Sequence, residues 1–152
     1  MTPDDLRNEI NIELTSLDII VREIVSLRND LGSGEPTIRE KTAAAGFLAQ
    51  FYNGVENILK RIGVFQGRLP LESGSWLLEL FKQFSPSTSE PFPSLFDDQL
   101  TKDLVPYRKF RHIARHGYTF ELEWDRMREG VENVEVVFSR FKRLLFDYLK
   151  TM

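Results

Sequence analysis

Both histidines of this 152-residue chain fall in one short segment, Tyr107-Arg108-Lys109-Phe110-Arg111-His112-Ile113-Ala114-Arg115-His116-Gly117-Tyr118, among four of its cations. On a helix His112 and His116 are i,i+4 neighbours, and so are Arg111 and Arg115. Arg111 and Tyr118, seven apart, return to nearly one azimuth if the helix survives Gly117. Three kinds of chemistry fit these residue types. Zinc uses an i,i+4 histidine pair, but Ile113, Ala114 and Arg115 between the two supply no glutamate base, and Arg111 and Arg115 would repel a dication. No metal is therefore expected. A plain basic helix face in water, with Tyr118 packed at the helix end, is the second reading. The third is phosphodiester chemistry: guanidinium grips phosphate oxygens bidentately, and imidazole, with an ordinary pKa of ~6.5, moves protons near neutrality. Without a metal, that chemistry needs a 2′-hydroxyl as internal nucleophile, and therefore RNA.

The elements that must position this segment read as helices throughout. Thr2 suits an N-cap and Pro3 the first helical position, with Asp4 and Asp5 at the positive end of the dipole. Leu6, Ile10, Leu14, Leu17, Val21, Ile24, Leu27 and Leu31 then recur every three or four residues, and Gly32-Ser33-Gly34 ends the stripe. A second helix is expected over 36–62, with Ile38, Ala45, Leu48, Tyr52, Val55, Leu59 and Ile62 on one side. A short apolar helix over 75–84 precedes a proline- and serine-rich loop at 85–93. Ser94 is the expected cap of the basic helix, which Pro106 should kink or break near Val105. The last helix is expected over 122–150, with Trp124, Met127, Val131, Val134, Phe138, Phe141, Leu145 and Tyr148 in its stripe. No stretch alternates with period two. The expectation is an all-α antiparallel bundle of about five helices in one domain spanning 1–152. The narrow stripes of the first and last helices also suit a helix-packed dimer.

Composition closes several other routes. The absence of cysteine removes disulfides, thiolate metal sites and cysteine nucleophiles, and fits a reducing cytoplasm. The longest uncharged stretch, 42–55, contains Gln50, Asn53 and two glycines and falls short of the ~18 apolar residues of a membrane span. The acidic start lacks the apolar core of a signal peptide, so a soluble cytoplasmic protein with no membrane contact is expected. Net charge is −3, yet residues 101–118 hold five bases against Asp103 alone, which makes the remainder −7. A basic island on an acidic protein suits a local phosphate site better than a surface that coats nucleic acid.

The run Arg111-His112-Ile113-Ala114-Arg115-His116-Gly117-Tyr118 resembles the Arg-x4-His-x-Tyr motif of HepT toxins in the HEPN ribonuclease superfamily. The block Phe-Tyr-Asn-Gly-Val-Glu-Asn-Ile-Leu-Lys-Arg-Ile at 51–62, Ser75-Trp76, and Phe120-Glu121-Leu122-Glu123-Trp124 extend the resemblance from Leu48 to Met127. The loop at 85–93 departs from compact members. The resemblance implies a metal-independent endoribonuclease that needs no cofactor, the toxin of a bacterial type II toxin–antitoxin pair. Arg111 and His116 would be the catalytic pair, meeting their counterparts across a homodimer interface, with His112 in support. Tyr118 would be the residue that an MNT nucleotidyltransferase antitoxin modifies with AMP. Arg108, Lys109 and Arg115 match no catalytic position and are candidates for RNA phosphate contacts or for plain solvation. Glu56 resembles a polar family position and equally suits an exposed helix carboxylate. The rival reading is a catalytically silent HEPN helical protein that binds a nucleotidyltransferase or a nucleotide.

Overall fold

Thr2 opens the first helix as its type predicts: its side chain accepts from the Asp5 N–H at 3.2 Å, and the Asp5 carboxylate accepts from the Thr2 N–H at 2.9 Å. Thr37 and Glu40 repeat this reciprocal box at the second helix, at 3.1 and 2.9 Å. Each such cap contributes about 1 kcal/mol. A computed structural model describes residues 1–68, 76–86, 91–118 and 123–152, with the backbone alone of Trp76 and Leu77. It contains α1 (Pro3–Asp30), α2 (Ile38–Phe65), α3 (Trp76–Gln83), α4 (Asp98–His116) and α5 (Trp124–Leu149), and among the described residues no strand. The all-α architecture of about five helices is thus as the periodicity predicts.

The stripes meet in one core. α1 buries Leu6, Ile10, Leu14, Leu17, Val21 and Ile24, and α5 buries Met127, Val131, Val134, Phe138, Phe141, Leu145 and Tyr148 against the same cluster. These seams are spent inside the chain, so they are not free to form a dimer as their narrowness suggested. Ion pairs fix the directions. Arg61 near the end of α2 meets Glu9 and Glu13 near the start of α1, and Arg28 at the end of α1 meets Glu135 of α5. α1 therefore runs antiparallel to both. Gly54 makes the α1–α2 contact close, since a Cβ there would lie 2.8 Å from Leu17 Cγ.

Several boundaries differ from the sequence reading. Ile38, expected on the buried side of α2, is 65% exposed because it is the first helical residue, a turn before the core begins. Asp97, not Ser94, caps α4: its Oδ1 accepts from the Leu100 N–H at 2.7 Å. Leu95 and Phe96 are buried ahead of the helix, and their N–H groups donate to the Phe84 carbonyl instead. α4 continues through Pro106 without a break. Pro106 and Lys102 lie on an exposed side, where water can satisfy the carbonyl that the missing proline N–H leaves. The expected starts at Ser75 and Leu122, and the middle of the 85–93 loop, lie outside the described residues.

One cation holds the α3 side of the bundle, and no periodicity announces it. The Arg68 guanidinium lies 4.5 Å from the Phe84 ring centre and 3.9 Å from that of Phe92. It donates to the Gln83 carbonyl at 3.0 Å and to the Tyr148 hydroxyl at 2.8 Å.

Candidate active site

α4 carries the basic island, and α2 supplies what anchors it. Arg111 sits in the last turns of α4 with its side chain only 12% exposed. Its Nε donates to Asn53 Oδ1 and lies 3.0 Å from Glu56 Oε1, an ion pair with a carboxylate that is buried. Asn53 and Glu56 stand three apart on α2 and so present to one side. Glu56 is therefore no exposed helix carboxylate. Burial pushes its carboxyl above the ordinary glutamate range, opposed by the positive charges of Arg111, Lys60, Arg115 and Arg108. One turn earlier on α2, burial raises the Tyr52 phenol as well, and the neighbouring Glu56 charge adds to the shift. Among the described residues neither the Tyr52 hydroxyl nor Glu56 Oε1 has a hydrogen-bond partner, so the Arg111 charge is what compensates this buried oxygen. Anchoring through Nε leaves the Nη edge of Arg111 with no partner among the described residues, the edge that grips an oxyanion bidentately.

The two histidines form the exposed half. Their ring centres stand 4.8 Å apart, tilted by 51°, in the last turns of α4. Arg111 and His116, five positions apart, differ by about 140° around the helix. Within one chain the structure brings His112 to His116 and Arg111 to α2, but does not join Arg111 to His116. Arg115 is exposed, whereas Arg108 is half-buried over the Phe81 ring at 5.2 Å. Lys109 stands on the rim of a cleft of about 630 Å3 between Phe110 and Ile113 of α4 and Arg126 and Glu129 of α5. The helix does not survive Gly117, which takes an extended conformation and donates its N–H to the Ile113 carbonyl at 2.9 Å. The azimuth shared by Arg111 and Tyr118 on a continued helix is therefore lost. Tyr118 lies beyond the helix end and is 69% exposed.

Sequence reasoning found the α4 cluster from the crowding of histidine and arginine. It missed Asn53 as a partner and left Glu56 undecided. The signal was present: Tyr52 and Val55 belong to the buried stripe, and a glutamate one position past Val55 on a buried face must find a cation.

A family model described as HepT-like protein matches residues 43–152, most of α2 and everything after it. The chain belongs to the HepT-like family, within the HEPN superfamily. No curated protein and no solved structure matches it significantly. Among the described residues no helix is long and apolar enough to cross a membrane, and no group of three or more histidine, aspartate or glutamate side chains is placed to hold a metal ion.

Proposed function

We propose that this chain is a metal-independent endoribonuclease, the toxin half of a HepT/MNT toxin–antitoxin pair in the bacterial cytoplasm, acting as a symmetric homodimer. The observation that carries the reading is the Arg111 anchorage. A guanidinium held through Nε by Asn53 and Glu56, its Nη groups without a partner among the described residues, stands on the same helix as two exposed imidazoles. His116 would take the proton of a ribose 2′-hydroxyl, whose oxygen attacks the adjacent phosphorus. Arg111 would stabilise the charge gathered on the phosphorane oxygens. A second His116, from the partner protomer, would protonate the departing 5′-oxygen. The products are a 2′,3′-cyclic phosphate and a 5′-hydroxyl.

The 140° between Arg111 and His116 favours the two-protomer arrangement, because one chain cannot aim both groups at one phosphate without help. An isologous contact would set two Arg111–His116 pairs across a two-fold axis. Arg115 and Lys109, exposed on the same helix, would hold flanking phosphates, and His112 would orient its neighbour. AMP placed on the exposed Tyr118 would bring a phosphate to these cations and compete with RNA for them. Purified protein incubated with structured and single-stranded RNA tests the reading: cleavage should be present and lost in both Arg111→Ala and His116→Ala. Adenylate transfer to a protein that never cuts RNA would favour the silent, partner-binding alternative.

A further inference from the structure

We infer that His112 and His116 form a two-imidazole site for a late first-row divalent cation, Zn2+ being the probe, and that its occupancy switches the protein off. The spacing of the two rings allows it. Metal–nitrogen bonds of about 2.0–2.1 Å, extended by the radius of each ring, put the centres of two adjacent imidazole ligands ~4.5 Å apart at a right angle and ~5.2 Å apart at the tetrahedral angle. The two rings here stand 4.8 Å apart on successive turns of one helix, both exposed. Waters would complete the sphere, since the described residues bring no third histidine or carboxylate to the pair.

The expected repulsion from the neighbouring arginines is weaker than their number suggests. Arg111 is neutralised by Glu56 at 3.0 Å. Arg108 is turned onto the Phe81 ring. Arg115 is exposed, where solvent screens it. The pair also occupies the end of α4, where the helix dipole is negative and favours a cation. A site of two ligands is weak compared with a structural zinc centre, and that suits a reversible inhibitor. The site itself stands apart from the nuclease reading; the inhibition rests on it, because a metal-bound imidazole cannot accept the proton of a 2′-hydroxyl.

His112 and His116 are the only histidines of the chain, so their ring resonances are unambiguous in a tag-free sample. Titrating Zn2+ into such protein, free of chelator, should shift the nitrogen and carbon-bound proton signals of both rings together, saturating at one ion per chain. His112→Ala and His116→Ala should each weaken the calorimetric affinity about tenfold or more, each removing one of the two protein ligands. Arg115→Ala should strengthen it. RNA cleavage should fall along the same saturation curve and return on chelation. A response confined to one ring, no saturation, or undiminished affinity in His112→Ala would overturn the site. Zinc-saturated protein that cuts RNA at its full rate would overturn the switch. Zinc binding by protein that cuts no RNA with or without the ion would count against the nuclease reading and leave the site standing.

Discussion

Glu56 sets what Arg111 can do, because the two share one buried contact whose removal is asymmetric. Glu56→Ala leaves a cation nearly buried without its counter-charge, which costs on the order of 3 kcal/mol. Glu56→Gln keeps the shape and some of the polarity and should cost less in stability, while loosening the guanidinium and lowering kcat more than it raises KM. Chemical denaturation and steady-state cleavage of the two variants check this together. The pH sign also follows. With the Glu56 carboxyl raised above 4.5 by burial, the folded state binds more protons than the unfolded state in the window just above that value. The contribution of Glu56 to stability therefore falls as pH rises through this window, despite the opposing charges of Arg111, Arg108 and Arg115 on α4 and Lys60 on α2. Glu56→Gln should flatten that part of the pH–stability curve, and an unchanged slope would contradict the assignment. Tyr118 stands outside the helix, is 69% exposed and is no member of the buried core. Tyr118→Phe should keep the fold and most of the cleavage rate, and gain no AMP mass when incubated with the MNT partner and ATP.

At the scale of elements, the sequence is most legible where one stripe faces one core. The spacing of Leu6 through Ile24 and of Met127 through Tyr148 gives α1 and α5 almost to the residue, because nothing but burial acts on those positions. It is least legible where a second interaction competes. Asp97 takes the α4 cap from Ser94 because Leu95 and Phe96 must first enter the core, and no local rule weighs that demand. Pro106 leaves α4 whole because its helix face is wet, which depends on neighbours the proline does not know about. The histidine–arginine cluster of the site was readable from types and spacing, since both histidines fall in one turn-and-a-half of helix. Its anchor on α2 was not, because Asn53 and Glu56 lie more than fifty positions away and a chain read locally does not reveal which side of α2 meets α4. Helix contacts of this closeness are testable through glycine. Gly54→Ala gains up to about 1 kcal/mol of helix propensity, but its Cβ would meet Leu17 Cγ at 2.8 Å inside the core. Overpacking of this kind costs about 1–3 kcal/mol, so the variant should be less stable by thermal or urea denaturation.

For the molecule as a whole, α1 is the element that the family match leaves out, since the match begins at residue 43. It nevertheless contributes six buried side chains to the common core and ion pairs to α2 and α5. We propose that 1–152 is one cooperative unit, in which α1 is no appendage. Assembly is the other property of this scale. Because the α1 and α5 seams are already buried, a dimer must use other surface, and the proposed chemistry places that surface at the end of α4. Light scattering at micromolar concentration should give twice the chain mass, and substitution at the α4 end, not on the seams, should shift it toward monomer. The measurement that bears most directly on the account is RNA cleavage in excess EDTA, followed by analysis of the ends produced. Cutting should be undiminished and leave 2′,3′-cyclic phosphate and 5′-hydroxyl termini, with a rate lower by about 10²–10⁴ in His116→Ala. Cleavage that needs an added metal ion, or that survives His116→Ala at the wild-type rate, would contradict it.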